Sequence, residues 1–339
     1  MPSAPSVIVV TLLVLGVVGT PAPRDDERGP TTPPTRPRAP RTERPAEAPV
    51  LQLGRVALSE GDVLRIVTTS NSALHTTIHS GSELTAEFDQ FEDRSVDKTI
   101  TIQSCDANGI TRMRVDYHAM RFLVRDTAPV DPAVTDEGGT QARLAAGGAE
   151  SIPEKNPLEH HSFVIVRTGR TFRVLDPQDK RVDDGLAQLV IEEECLRQGE
   201  VRRAGDLVAA ELAGRAWPIG RGFACSTATS LAFVDGHEDL DAASLFLIPR
   251  EERVEGDRRV AVFEARLSVT DGGSSSDTAA GIDLSGELRV DLATGRFLGI
   301  DMTGVLSLGA APSDDTRAVV VAGQGPWTIR ENVAYSRVP

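Results

Sequence analysis

Lysine is nearly missing from this chain. Of 339 residues only three are Lys, at positions 98, 155 and 180, so 33 of the 36 basic residues are Arg. Basic residues are themselves outnumbered by 50 acidic ones, for a formal net charge of -14. That balance excludes a non-specific nucleic-acid binder or a protein held on anionic lipid, both of which need a basic footprint. Aromatic side chains are scarce, at 4%, which removes the stacking platforms that bases or sugars would use. No apolar run is long enough to span a bilayer: Val7 to Gly19 gives thirteen uncharged residues, about 20 Å of helix against a hydrocarbon core of about 30 Å. Catalytic signatures are missing too. The sequence holds no Gly-x-Ser-x-Gly elbow, His-Glu-x-x-His, phosphate-binding Gly-x4-Gly-Lys-Ser/Thr, Cys-x-x-Cys or EF-hand loop.

What the N-terminus does contain is an address and a spacer. The short apolar run is followed by small residues (Gly19, Thr20, Ala22) and then by Arg24-Asp25-Asp26-Glu27, the layout of a secretory signal. Residues 1–22 are expected to be a signal peptide, with the mature protein exported to the periplasm or medium of a bacterium and free of any transmembrane span. No Cys follows the run, which argues against lipid anchoring. Residues 23–50 are expected to be a disordered Pro-rich linker, because nine prolines lie between Pro21 and Pro49 and proline fixes φ while donating no hydrogen bond. The negative charge then belongs to the body, with 30 basic against 45 acidic residues after position 50.

From residue 51 the dominant pattern is alternation. Leu284, Leu288, Val290 and Leu292 face one side of a strand, with Ser285, Glu287, Arg289 and Asp291 on the other. Ala293-Thr294-Gly295 makes a tight turn, and Leu298, Ile300, Met302, Leu306 and Leu308 resume the alternation. Ala261 to Val269 repeats it. Met113, Val115, Tyr117, Ala119 and Leu123 follow the turn Asp106-Ala107-Asn108-Gly109. Further strands are expected over 64–79, 84–91, 96–104, 162–167, 171–175, 318–322 and 327–335. Helical spacing occurs over Leu186 to Leu196 and again over Leu207 to Leu212, so residues 183–214 predict a two-helix insert. Residues 126–157 carry four Pro and four Gly and read as a mobile loop. Glu60-Gly61-Asp62 and Glu255-Gly256-Asp257 each precede a strand, a faint internal echo.

Area decides the architecture. About ten strands at about 4.8 Å spacing and about 30 Å length present roughly 1400 Å² per face, while two helices of about 14 residues cover roughly 400 Å². The expected fold is therefore α+β and mainly antiparallel β: a long-stranded curved sheet, half-barrel or barrel-like, with a short two-helix insert. Residues 51–339 form that β-rich domain.

These features together carry a resemblance. The signal peptide, the Pro-rich spacer, the strand led by Glu60-Gly61-Asp62 and the insert ending in Ala216-Trp217-Pro218-Ile219-Gly220 form its first half. The segments Leu284-Ser285-Gly286-Glu287-Leu288 and Ala293-Thr294-Gly295-Arg296-Phe297 form its second. The chain resembles bacterial exported β-rich proteins whose outline is similar to the half-barrel lipoprotein carriers of the LolA type. No functional residue carries over from that resemblance.

Chemistry-bearing residues mostly read as structural. His75 and His79 share a strand face about 13 Å apart, too far to chelate one ion, and His160-His161 would point to opposite faces. The run Asp235-Gly236-His237-Glu238-Asp239-Leu240-Asp241 is the most metal-like stretch, with Asp235, His237, Asp239 and Asp241 as ligand candidates, although a solvated turn explains it as well. No cofactor is expected. Asp176, Asp179, Asp183 and Asp184, and the acids between Glu83 and Asp97, read as solvated turns and edges. Export would permit a Cys195–Cys225 disulfide, and Cys105 has no identifiable His partner. Three function classes follow. The first choice is a non-enzymatic structural or interaction protein of the envelope, with an unidentified envelope protein as partner. The alternative is a carrier of an apolar small ligand such as an acyl chain, lined by Met113, Tyr117, Phe263, Leu267, Leu288, Ile300 and Met302. A hydrolase comes last.

Overall fold

The computed structural model describes residues 49–80, 83–107, 109–126, 156–234, 242–270, 278–310 and 319–337. The expected signal peptide, nearly all of the linker and most of the 126–157 loop lie outside those residues. In chain order the elements are β1 (Val50–Gln52), β2 (Asp62–Ser80), β3 (Glu83–Asp106), β4 (Gly109–Asp126), β5 (Ser162–Thr168) and β6 (Thr171–Leu175). Helix α1 (Asp184–Glu193), the small pair β7 (Leu196–Arg197) and β8 (Glu200–Val201), helix α2 (Ala204–Leu212), β9 (Ala216–Pro218), β10 (Phe223–Ala224) and α3 (Thr227–Leu231) follow. The chain then returns to long strands: β11 (Ala242–Glu255), β12 (Arg258–Thr270), β13 (Thr278–Asp291), β14 (Phe297–Ala310) and β15 (Val319–Arg337).

Eleven strands form one antiparallel sheet in the order β10-β11-β12-β13-β14-β15-β2-β3-β4-β5-β6. The sheet is curved, and its edge strands β10 and β6 do not meet, so it is not a closed barrel. One pairing turns two potential domains into a single body. Strand β15 lies against β2 from Val319↔Ser80 to Arg337↔Asp62, joining the first and last thirds of the chain. The strands are longer than expected: 83–106, read as two strands with a break, is one strand of 24 residues, about 80 Å at about 3.3 Å per residue.

Alternation puts one apolar face inward. Leu64, Ile100, Val115 and Phe163 lie side by side across β2 to β5, and Leu267, Leu284 and Leu245 do so across the other half. One expected register fails. At Asp97/Lys98 the β3–β4 pairing shifts by a residue, so that Asp97 pairs with Ala119 and Lys98 with Tyr117. That bulge inverts the alternation beyond His118: Ala119 becomes exposed, and Met120 takes the inward position. Strand β11 was not anticipated, because Pro249 and the charged run Arg250 to Arg253 interrupt its apolar half. The register slips there, between Pro249 and Glu251.

The turns explain the echo in the sequence. Gly61 and Gly256 have φ of +84° and +64°, so the two Glu-Gly-Asp phrases share turn chemistry. Gly295 carries a double demand. Its φ is +71°, and a Cβ there would lie 2.2 Å from the Gly54 carbonyl oxygen. Asp291 closes the same turn by accepting from the Thr294 amide and hydroxyl, both at 2.8 Å.

The insert sits on the inner face. Val190, Leu196, Val208 and Leu212 join one buried cluster with Ile100, Tyr117, Phe263, Leu288 and Met302. Helix α3, a short addition to the two expected helices, brings Phe233 and Val234 into the same cluster. Gly205 sets how closely α2 can approach, since a Cβ there would lie 2.4 Å from Cδ1 of Phe297. In Gly205→Ala the gain in helix propensity, at most about 1 kcal/mol, opposes overpacking of about 1–3 kcal/mol against a buried ring. A net loss of about 1 kcal/mol is expected, read as a lower urea midpoint with unchanged slope.

Candidate functional site

The inner face under the insert is where charge and apolar surface meet. Strand β3 alternates Val96, Lys98, Ile100 and Ile102 inward, which drives an ammonium into the core. Lys98 is 5% exposed, and Glu194, the residue that caps the C-terminus of α1, is fully buried. Nζ of Lys98 lies 2.8 Å from Oε1 of Glu194 and 3.1 Å from Oε1 of Glu193. Tyr117 donates its hydroxyl to the same Glu194 oxygen at 2.9 Å, and Arg94 pairs with Glu193 at 2.8 Å. Lys98 also reaches the Glu193 carbonyl at 3.5 Å. Helix α1 has no basic residue in its last turn, so the sheet supplies the cation its C-terminus favours.

Further groups extend the network. Arg203 donates through Nε to Asp206 at 2.8 Å on α2. Glu331, inward on β15, accepts from the Thr68 hydroxyl at 3.4 Å. Burial alone would push the Lys98 ammonium down, but Glu194 and Glu193 hold it above the ordinary lysine range. Burial likewise opposes the Glu193 charge, yet Lys98 and Arg94 hold that carboxyl below the usual range. Burial keeps Glu331 above it, against the pull of Lys98 and Arg203. Burial and the Glu194 charge push the Tyr117 hydroxyl up. Oε2 of Glu194 is buried with no hydrogen-bond partner. The cluster joins insert to sheet.

The seven expected lining residues do share one face. Met113, Tyr117, Phe263, Leu267, Leu288, Ile300 and Met302 are each 0–1% exposed and lie in the cluster that contains the insert. They form packed core rather than the wall of an open groove. Away from the insert the inner face opens: Phe122 is 46% exposed, and Leu306 and Trp327 are partly buried, with Trp327 Nε1 donating to Ser70 at 2.9 Å. On the outer face a depression of about 470 Å³ is lined by Thr69, Asn71, Asp93, Ser95, Arg121 and Glu159.

The other sequence candidates fall into local roles. His75 meets Asp89 at 2.7 Å and Glu87 at 3.4 Å on the outside of the sheet. Asp183 caps α1 by accepting from the Gly185 and Leu186 amides, and Asp184 pairs with Arg181. Asp176 organises its turn through the Gln178 and Lys180 amides, and Asp179 pairs with Arg112. His161 offers its carbonyl to the Tyr117 amide at 2.9 Å. Cys195 and Cys225 are thiols here, not a bridge. Burial and the nearby Glu211 push the Cys225 thiol up to about 12. Cys105 is exposed and donates to the Leu58 carbonyl. The stretch 235–241, with Asp235, His237, Asp239 and Asp241, lies outside the described residues. Among the described residues no three His, Cys, Asp or Glu side chains converge as a metal site, and no helix is long and apolar enough to cross a membrane.

Removing one partner of the buried pair tests the network. Lys98→Met strands the Glu194 charge and should cost about 3–5 kcal/mol, whereas adding Glu194→Gln should recover most of that loss. Urea unfolding of the two variants measures both. Acid provides a second handle. Because Glu193 titrates lower folded than unfolded, its contribution is present above the unfolded value, about 4.3, and is lost as pH falls through the folded one. The stability gap between wild type and Glu193→Gln should therefore be full at neutral pH and close below about pH 4.

No family model matches the chain, and no curated protein matches it in sequence. Among solved structures, a chain titled "Lipid-protein interactions in lipovitellin" is similar at a TM-score of 0.35 and 7% identity. The match covers 83% of this chain and 26% of that one, so this chain spans about a quarter of the protein it matches. No match places the chain among LolA-type carriers.

Proposed function

We propose that this chain is an exported, non-enzymatic protein of a bacterial envelope that works through its surface as an interaction module. The observation that supports this reading is the sealing of the inner face beneath the insert. The seven residues that would line a groove are 0–1% exposed, and the insert over them is fastened by Lys98, Glu193 and Glu194. Opening that face means undoing the Lys98, Glu193 and Glu194 contacts together with the apolar packing around Val190, Val208 and Leu212. The export half of the reading rests on the Val7 to Gly19 run and the proline-rich segment behind it.

One observation favours the second reading, a carrier of an apolar ligand. Beyond the insert, Phe122, Trp327 and Leu306 stay wholly or partly uncovered on the inner face, where an acyl chain would have apolar contacts without displacing the helices. Native mass spectrometry of protein purified from its own envelope separates the two. A ligand-free mass with no uptake of a fluorescent fatty acid is expected; a stoichiometric lipid mass would overturn the first reading in favour of the second. Cell fractionation should find a mature form beginning near residues 20–25, and full-length protein in the cytosol would refute export.

A further inference from the structure

Where β15 finishes and β12 begins, Arg258, Arg296 and Arg337 line a depression of about 320 Å³ with Asp291, Thr294 and Ser336. Elsewhere the long strands neutralise their arginines. Arg65 pairs with Asp97 at 2.8 Å, Arg330 with Asp301 at 2.8 Å and Arg253 with Glu287 at 2.9 Å. The depression departs from that habit. Arg258 donates to the Tyr335 carbonyl at 3.0 Å, and Arg337 to the Glu60 carbonyl at 3.5 Å. Neither guanidinium has a carboxylate within salt-bridge distance among the described residues. A carbonyl carries no compensating charge, and each fork keeps several donors unused.

The third arginine forms the floor. Arg296 pairs with the buried Asp62 at 2.7 Å, donates to the Ala57 carbonyl at 3.2 Å and lies 5.2 Å from the centre of the Tyr335 ring. Its Nε is buried with no partner. Asp62 is already occupied, since the same oxygen also accepts from the Ser59 amide at 2.9 Å. One Asp291 oxygen is held by Thr294. The lining sets three guanidiniums against the Asp62 and Asp291 carboxylates, so in a protein of net charge -14 this hollow carries a local excess of one positive charge. Planar forks of this kind match tetrahedral oxyanions bidentately.

We propose that this depression binds the phosphate or sulfate group of a small hydroxylated ester, with Arg258 and Arg337 gripping the oxyanion over the Arg296–Asp62 pair. The hydroxylated body follows from the rest of the lining. Asp291 can accept, Thr294, whose hydroxyl proton is given to Asp291, can only accept, and Ser336 can donate or accept, while the volume equals that of about ten waters, more than one phosphate group fills. This site is independent of whether the inner face carries a ligand.

Isothermal titration of the purified protein with inorganic phosphate, glucose 6-phosphate and glucose tests it. Glucose 6-phosphate should bind, phosphate more weakly and glucose not at all. Arg258→Gln and Arg337→Gln should each weaken binding at least about tenfold, the loss of one charge-assisted contact, while Arg330→Gln leaves it unchanged. Arg337 is exposed, so its variant carries the comparison should Arg258→Gln fail to fold. The proposal is overturned if neither anion binds at about 10 mM, or if folded Arg258→Gln and Arg337→Gln bind as wild type does. Equal affinity for phosphate and its sugar ester would overturn the hydroxylated body alone. Co-sedimentation with phosphatidylglycerol vesicles, lost in the same variants, would identify a lipid headgroup as the source of the oxyanion. Its absence beside intact phosphate binding would identify a soluble ester.

Discussion

A lysine ammonium held against a glutamate inside the protein fixes how this molecule is put together. Apolar contacts between insert and sheet have no direction: Val190, Val208 and Leu212 would be about as well buried after a shift of one turn along the face. The 2.8 Å contact from Lys98 to Glu194 and the Tyr117 hydroxyl on the same oxygen allow one placement. Any slip would leave charges in the core without partners, a penalty larger than the packing lost. The net gain of such a pair over a well-fitted apolar replacement is small, and its effect is positional. It sets where α1 ends on β3, and so which part of the inner face is sealed.

The outer face meets a different constraint. An open sheet of eleven strands exposes two edges and a broad surface, and open edges invite other strands. Here the edge strands are short, two residues in β10 and five in β6. Next to β10, the longer β11 carries Arg250, Glu251, Glu252 and Arg253. These residues pair across strands: Arg250 with Glu264, Arg253 with Glu287, Arg259 with Glu252. Each exposed pair contributes about 0.2–1 kcal/mol at most. Their value lies in keeping the surface charged and well hydrated, which favours Arg with its wide fork over the nearly absent Lys.

How far this was legible in the sequence follows from what each signal encodes. Period-two alternation reports which side of a strand is apolar, so Leu284 to Leu292, Ala261 to Val269 and the antiparallel class were readable. Alternation carries no information about bulges, and the shift beside Lys98 moved Ala119 out and Met120 in. The area estimate foresaw that helices could not cover the whole sheet, and Phe122 at 46% exposure lies on the uncovered part. It could not say that the seven chosen lining residues fall on the covered part, because that depends on where the insert docks. The signal for the docking was present: Lys98 breaks an otherwise apolar inward row, and Glu331 does so between Ile329 and Val333. A charge at an inward position demands a partner, and the Glu193-Glu194 pair at the end of a predicted helix was available. Pairing them needed the fold, since the two segments are 96 residues apart.

The buried network and the arginine-lined hollow are not separate accidents of the fold. Tyr335 packs against both the main core and the small cluster of Val260, Val262 and Leu298, and its backbone carbonyl accepts from Arg258. Burial raises its hydroxyl, with Asp206 adding to the effect and Arg203 opposing it. Those two charges sit at the N-terminus of α2, Arg203 as its cap and Asp206 in its first turn, and Arg203 in turn feels Glu194. Beneath the hollow, Arg296 ties the segment before β2 to the β13–β14 turn through Asp62 and Ala57. That segment carries Leu53 into the core and stacks Gly54 against Ala293, where a Cβ would lie 1.8 Å from the carbonyl oxygen. The end of the sheet is thus cross-linked from several segments, and the Arg296 guanidinium held on that frame loses little further freedom when an anion settles over it. Preorganisation of that kind is what separates a binding hollow from a chance gathering of arginines.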